Sequence, residues 1–212
     1  MKIGDQESGP ARRVAKFAIE IPSVDSPVKA VLSVDVRSQA EEKIHASNHW
    51  NFYIFPNAPK SEIPPSVAVV KHGSPEAEQA RKAGKNLLLL GKCGKTMDIF
   101  LGWWAIDWRP ENWTQNGVAI KQHELWKSLP REKFLSPLFF GIIGEAEVLP
   151  VAGFSCDDFI MVGEGNVDFK LYLAAKTRAD GGREVFVSGL DVFSENPAAK
   201  ALLSDIVGWL AK

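Results

Sequence analysis

Cys93 is the residue whose type and position point most directly to covalent chemistry. It lies at the centre of GKCGK (91–95), immediately after an apolar run. A nucleophile elbow has the form G-x-S-x-G, or its cysteine counterpart, after a strand. In this chain Lys95 replaces the second glycine. A thiolate nucleophile also needs a base, and His123 or His72 could supply one. The alternative is a loop cysteine with no catalytic role.

The same segment continues into Gly94-Lys95-Thr96, which ends like a phosphate-binding loop. That motif requires a first glycine five residues before Gly94, and Leu89 occupies the position. The following residues, MDIFLGWWAIDW, lack the pattern of an amphipathic helix whose positive N-terminus would hold a phosphate. The sequence therefore argues against a nucleotide site, and we expect no cofactor.

Tryptophans are concentrated in one short stretch. Four of the seven lie within eleven residues, and charged side chains are interleaved with them. Aromatic ring faces beside polar groups can hold the apolar and hydroxyl-bearing sides of a sugar. The pattern predicts a carbohydrate contact, and packing of this loop onto its own domain or a neighbour is the alternative. The residues are Trp103, Trp104, Trp108, Trp113, Asp107 and Arg109.

Two further sets of residues have types suited to metal binding or acid–base chemistry. His45 and His49 would share one face of a helix, but their aromatic surroundings favour a strand or loop. Because no third ligand follows at a diagnostic spacing, we expect no metal site. A retaining glycosidase holds two carboxyl groups about 5 Å apart. For the pairs Asp157-Asp158 and Glu145/Glu147 the expectation is solvated loop charges.

The amino-acid composition limits the classes of function that we expect. The chain has 212 residues, 45% of them hydrophobic, with a formal net charge of −1. That balance gives no electrostatic reason to expect nucleic acid or an anionic membrane as partner. No apolar run reaches the roughly 18 residues of a membrane span. Cys93 and Cys156 make no disulfide framework, and the polar opening MKIGDQESGP lacks the apolar core of a signal peptide. The compartment stays open.

The pattern of the N-terminal part predicts an antiparallel sheet. Period-two alternation predicts strands at 14–22 and 29–38, and the aromatic run HWNFYIFP predicts another at 49–56. The prolines of residues 58–65 predict a stiff linker. The predicted organisation is a partial sandwich-like segment at 1–57, the linker, and an α/β domain at 66–212.

The pattern after the linker changes to strands and helices. A continuous apolar strand, a short helix capped by Ser74 and Pro75, and the strand 87–90 predict a βαβ unit with parallel strands. Gly84 stands where a left-handed C-cap belongs. Asn196 and Pro197 open a final amphipathic helix. The other predicted strands are 66–70, 117–121, 137–143, 158–163, 169–176 and 183–190.

Residues 46–56, ASNHWNFYIFP, combine an asparagine, a tryptophan two residues on, an aromatic pair and a proline. With the strand-like residues 23–38 before it, this pattern resembles the end of the immunoglobulin-like sandwich in large bacterial glycoside hydrolases. Those enzymes are related to family 2, the β-galactosidase type. The residues that carry the pattern are Asn48, Trp50, Phe52, Tyr53 and Pro56.

In that family the sandwich leads into a C-terminal domain similar to class I glutamine amidotransferases. The resemblance covers residues 12–210. It implies a flavodoxin-like, amidotransferase-like three-layer α/β domain with a mixed sheet, preceded by a short antiparallel, partial immunoglobulin-like segment. The corresponding signals are Ala80–Gly84 before Leu87–Leu90, Phe100–Trp108, Gly117–Pro130 with His123, and Val185–Leu210.

The resemblance implies that the chemistry of the family lies elsewhere. The family's catalytic glutamates belong to an upstream barrel, which needs about 250 residues, so none can be assigned here. The expectation is a non-catalytic accessory or assembly region that contacts carbohydrate through the tryptophan loop. An incomplete sandwich leaves a sheet edge exposed, which favours a homo-oligomer. The chain is then either a fragment of a longer reading frame or a reduced stand-alone protein.

Two other functions stay open at this point. One is a small cysteine-dependent hydrolase of the amidotransferase-like class, with Cys93 as nucleophile and His123 as base. The other is a stand-alone carbohydrate-binding module. The reactivity of Cys93 separates the first from an accessory region, and a tryptophan fluorescence response to oligosaccharides would favour the second.

Overall fold

The computed structural model describes residue 13 and residues 15–37, 43–57, 61–94, 118–164 and 168–212. This part of the chain is a mixed α/β protein with few helices and two separate sheets. The strands are β1 (Val28–Arg37), β2 (Ile44–Ile54), β3 (Val67–Lys71), β4 (Asn86–Leu90), β5 (Ala119–Ile120), β6 (Glu147–Val148), β7 (Phe159–Glu164), β8 (Phe169–Thr177) and β9 (Arg183–Val187). The helices are α1 (Pro75–Lys82) and α2 (Pro197–Leu210).

The larger sheet has seven strands and mixed direction. Its main order is β3-β4-β9-β8-β7-β5, and β6 pairs with β8 beside this path. Strands β3, β4 and β9 run parallel, whereas β8, β7 and β5 join by antiparallel pairing. The predicted mixed sheet is confirmed, and the predicted hairpin between 169–176 and 183–190 is the β8–β9 pair.

Strand β3, helix α1 and strand β4 form the predicted βαβ unit. The capping residues identified in the sequence set the bounds of its helix. Ser74 caps α1, because its hydroxyl accepts the Ala77 N–H at 3.2 Å, and Pro75 occupies the first turn. Gly84 adopts a φ of +72°, the left-handed conformation that a residue with a Cβ rarely takes. Strands β3 and β4 pair in parallel over five residues each.

Strand β4 is buried on both of its faces. Leu88 belongs to the core that α2 covers on one face of the sheet. Leu87 and Leu89 belong to a second core on the opposite face, which α1 covers through Ala77. Successive side chains of a strand point to opposite faces, so a continuous apolar run fits only a strand that is covered twice.

The smaller sheet is the β1–β2 hairpin. Strand β1 pairs with β2 along all of its ten residues. At the base of the hairpin, Tyr53 and Phe55 pack against the core that α2 covers. Lys29 on β1 also forms an ion pair with Glu132 of the larger unit. The rest of the hairpin extends away from these contacts with most of its side chains exposed.

Two strand predictions were wrong. Residues 15–22 form no strand, because no neighbouring strand among the described residues supplies a ladder of hydrogen bonds. Residues 137–143 contain a short 3-10 helix (Pro137–Phe139) and a turn, in which Gly141 takes a φ of +75°. A short apolar run does not distinguish a strand from another buried segment. Ile142 is buried in the turn, and Ile143 is buried where it forms an isolated bridge to Leu190. The two-residue strand β6 gave no sequence signal.

An ion cluster joins α1 to the sheet on the face opposite α2. Glu184 on β9 is 1% exposed and accepts a hydrogen bond from Arg81 Nε at 2.6 Å. Arg178 and Lys176 approach the same carboxylate at 3.4 and 3.6 Å. Burial alone would raise the pKa of Glu184. The hydrogen bond and the charge of Arg81, with the charges of Lys176 and Arg178, outweigh burial and hold the pKa below its ordinary value.

We expect Glu184→Gln to lower the free energy of unfolding by about 2–4 kcal/mol, because three cations lose their shared carboxylate. Glu78→Gln is the matched control: Glu78 pairs with the same Arg81 but is 60% exposed, so its loss changes stability by less than about 1 kcal/mol. Urea unfolding of both variants measures the difference, and equal effects would contradict the role of burial.

The lowered pKa of Glu184 also sets a pH dependence. Its stabilising contribution is complete above the unfolded-state pKa of about 4.3 and is lost as pH falls through the lower folded-state pKa. The wild type should therefore lose more stability than Glu184→Gln when urea unfolding is repeated at falling pH. Parallel stability curves for the two proteins would contradict this assignment.

Candidate functional site

The carboxyl ends of β4 and β9 meet at one edge of the sheet, which is where ligands usually bind in open α/β folds. Here the loop after β4 is held by carboxylates of this same chain. Glu147 Oε1 accepts the main-chain N–H of Lys92 at 2.8 Å, and Glu145 forms an ion pair with the Lys92 ammonium. The Gly94 N–H reaches the Glu145 carbonyl at 3.4 Å.

In the described part of the loop, these contacts argue against a phosphate-binding loop. A phosphate would have to bind to main-chain N–H groups of this loop, but the N–H of Lys92 already donates to Glu147. The Glu147 carboxylate stands where an anionic ligand would lie, and Glu145 adds a second negative charge beside it. Within the described residues, this edge is built to hold its own loop in place.

Ser188 and two glycines complete the packing of the edge. The Ser188 hydroxyl accepts the Glu147 N–H at 2.9 Å and donates to the Leu171 carbonyl. A Cβ at Gly91 would lie 2.6 Å from the Phe186 ring. Gly189 has a φ of +60°, and a Cβ there would lie 2.7 Å from the Ala146 Cβ. Both glycines are required by close packing inside the protein, so neither marks the approach of a ligand.

Cys93 lies at this edge in an environment that disfavours the thiolate. Its side chain is exposed, yet partial burial of the thiol and the nearby charge of Asp191 raise its pKa above the ordinary value. A nucleophilic cysteine needs the opposite shift, from a cation, a helix N-terminus or a base. The ammonium of Lys92, the residue before Cys93, forms an ion pair with Glu145.

His123 lies at the other edge of the sheet. Its Nδ1 accepts the Leu125 N–H at 3.2 Å, and its ring centroid lies 5.7 Å from that of Trp209 near the end of α2. The end of α2 adjoins the start of β4, where Asn86 donates to the Leu210 carbonyl. The length of β4, about 13 Å over four residue steps, separates this edge from the loop of Cys93. Burial also lowers the pKa of His123.

The structure therefore does not bring Cys93 and His123 together. His72 follows β3 at the same edge as Cys93, but its Nε2 lies 3.0 Å from the Ala152 carbonyl oxygen. Its ring packs against Phe186. Among the described residues, no hydrogen bond joins either histidine to the thiol.

The remaining candidates separate into two groups. The residues of the predicted carbohydrate contact lie outside the described residues, and so do Lys95 and Thr96. The carbohydrate contact therefore stays a prediction. Within the described residues there is no cluster of three or more metal-ligating side chains. Asp158 binds the N–H and hydroxyl of Ser155 in a capping box. The residues that lie outside the description are Trp103, Trp104, Trp108, Trp113, Asp107 and Arg109.

The second candidate site is a surface, which we call the hairpin face. It consists of one side of the β1–β2 hairpin, where Trp50 is paired with Leu32 and Phe52 with Ala30. Trp50 is 45% exposed and Phe52 is 51% exposed. Val36 on the same side is also exposed. A cluster of large apolar side chains in water is typical of a protein–protein contact.

The fold and these sites define a mixed α/β protein with an appended, largely exposed β-hairpin. Comparison with protein-family models and with curated proteins finds no match to the chain. In the part of the chain that the structure describes, no helix has the length and apolar character needed to cross a bilayer.

We expect Cys93 to react slowly with iodoacetamide near neutral pH, because its raised pKa leaves little thiolate. The rate is measured by mass spectrometry on Cys156→Ser, in which Cys93 is the only cysteine. Asp191→Asn in that background should accelerate alkylation several-fold, because it removes the charge that raises the pKa. Reaction faster than that of a free thiol would contradict this description and favour a catalytic cysteine.

Proposed function

We propose that this chain is a non-catalytic accessory and assembly region related to glycoside hydrolases, and that it associates through the hairpin face. The proposal includes the finer fold expectation, a flavodoxin-like, amidotransferase-like domain preceded by part of an immunoglobulin-like sandwich. The observation that carries the assembly role is the exposed apolar side of β1–β2.

The energetics of the hairpin support this role. An isolated two-stranded hairpin is marginally stable in water, and three or more strands or a packed face are normally needed. Strands of ten and eleven residues are long for such a structure. Among the described residues, the base of the hairpin packs against the core of the larger unit through Tyr53 and Phe55. Association that covers the hairpin face would remove Trp50 and Phe52 from water.

A second copy of this chain is the partner we propose. Among the described residues, neither β1 nor β2 pairs with a third strand, so each presents an unpaired edge. Such edges form ladders with a strand of another chain unless charges, proline or bulges prevent it. Phe17, Ile19 and Ile21, in the segment that precedes β1, are exposed as well.

The surroundings of Cys93 support the non-catalytic part of the proposal over a cysteine-dependent hydrolase. Its pKa is shifted against thiolate formation, and His123 lies at the opposite edge of the sheet. The acidic groups of the edge, Glu145 and Glu147, both bind Lys92. These carboxylates already have a role in holding the loop after β4.

Light scattering with size-exclusion chromatography tests the assembly role. The wild type should be a homodimer, and Trp50→Ser/Phe52→Ser should weaken dimerisation at least about thirtyfold, as expected for two buried aromatic anchors. His49→Ser/Asn51→Ser is the control, because these residues lie on the opposite side of the same strand. A wild type that stays monomeric at every concentration, or a control as weak as the test variant, would contradict the proposal.

A further inference from the structure

A cavity of about 460 Å³ lies at the end of the larger sheet where β5 and β7 pair. Strand β4, which leads into the loop of Cys93, lies three strands away from β7 in the sheet. The base of the hairpin contacts the segment next to the cavity through the ion pair of Lys29 with Glu132. Helix α1 packs on β3 and β4 at the other end of the sheet. Small-molecule sites usually have volumes of about 300–1,000 Å³ and mostly apolar linings with a few polar groups. This cavity has such a volume and a lining of six apolar and four polar residues, and it is open to solvent.

The apolar part of the cavity is formed by Phe134, Phe159 and Val162. Phe134 is 66% exposed although it lies beside β5, where it bridges to Ala119. Phe159 and Val162 are half-buried in β7. An aromatic ring with this exposure beside a concave apolar surface would gain free energy if a ligand covered it.

Three cationic residues also line the cavity: Lys121, Arg131 and Lys133. Lys121 Nζ donates to the main-chain carbonyl of Asp157 at 3.0 Å. Arg131 donates to the side-chain amide oxygen of Gln122 and, at 3.5 Å, to the Glu132 carbonyl. Those acceptors are neutral, so they do not compensate the positive charges of Lys121 and Arg131.

Two carboxylates in the neighbouring segments, those of Glu132 and Asp158, are engaged elsewhere. Glu132 lies between two of the cations in sequence, but its carboxylate pairs with Lys29 of the hairpin. Asp158 accepts hydrogen bonds from Ser155 at 2.8 and 2.9 Å. Among the described residues, no ion pair joins Lys121, Arg131 or Lys133 to a carboxylate. Arg131 Nε is buried and has no hydrogen-bond partner there.

We propose that this cavity binds a small apolar anion, with an aromatic or aliphatic body and a single carboxylate, sulfonate or phosphate head. The body lies on Phe134, Phe159 and Val162, and the head is held by the three cations. Guanidinium and ammonium groups recognise such heads by charge-assisted hydrogen bonds. The volume equals that of about 15 liquid waters, enough for a body of one or two rings. This inference does not depend on the proposed function.

Two dyes with the same ring system test the proposal. Anilinonaphthalene sulfonate carries an anionic head, whereas phenylnaphthylamine is its neutral counterpart, and both fluoresce more strongly in apolar sites. We expect saturable binding of the sulfonate at one site, at least about tenfold tighter than the neutral dye. Raising NaCl from about 0.05 to 0.5 M should weaken only the anionic dye, because screening acts on the charges.

Variants locate the binding. Lys121→Glu/Lys133→Glu should weaken the sulfonate at least about tenfold and leave the neutral dye unchanged, while Phe134→Ser should weaken both dyes. Lys71→Glu/Lys85→Glu makes the same change in net charge at exposed lysines elsewhere and should retain binding. So should Trp50→Ser/Phe52→Ser, which separates this site from the hairpin face. Unchanged sulfonate binding in Lys121→Glu/Lys133→Glu, or an equal loss in the lysine control, would overturn the proposal.

Discussion

Strand β4 has to be covered on both faces, and the organisation of the larger unit follows from that requirement. Leu87, Leu88 and Leu89 are essentially inaccessible to water. Their alternation sends Leu88 toward α2 and the other two toward α1. The parallel neighbours β3 and β9 form hydrogen bonds with the backbone of β4 on both sides. The short α1 and the ion cluster of Glu184 then close the face that α2 does not reach.

The same requirement shapes the carboxyl edge of the sheet. The loops that leave β4 and β9 must turn away from packed neighbours. They do so at Gly91, which packs against Phe186, and at Gly189, which packs against Ala146. In the described part of the loop after β4, the Lys92 N–H donates to Glu147. The Glu147 N–H in turn donates to the Ser188 hydroxyl, which donates to the Leu171 carbonyl. In other open α/β sheets, ligands bind at this edge. In the described part of this chain, internal contacts occupy it. The exposed surfaces away from it become the stronger functional candidates.

Local chemistry made part of this fold predictable. Ser74 and Pro75 specify where α1 begins, and Asn196 and Pro197 do the same for α2. The continuous leucines required a strand covered twice. Residues 137–143 were misread because burial there comes from a turn, and apolar content does not encode that geometry. Residues 14–22 have the alternation of a strand, but a strand also needs a neighbour, and sequence alone does not show whether one is present.

The site was less predictable than the fold. The roles of Glu145 and Glu147 depend on Lys92, which is more than fifty residues away in sequence, and no spacing rule connects them. The cations of the β5–β7 cavity come from separate segments that only the sheet brings together. Trp50 and Phe52 were visible as an aromatic pattern, but their exposure depends on how many strands pack with the hairpin.

Amide hydrogen exchange of β1 and β2, measured over a range of protein concentrations, tests the central claim most directly. The account predicts that the outward-facing N–H groups of the hairpin become protected as concentration rises, because a second copy covers the face or pairs with an edge. Protection in β4 and β9 should stay constant over the same range. Hairpin exchange that is rapid and independent of concentration would contradict assembly through this surface.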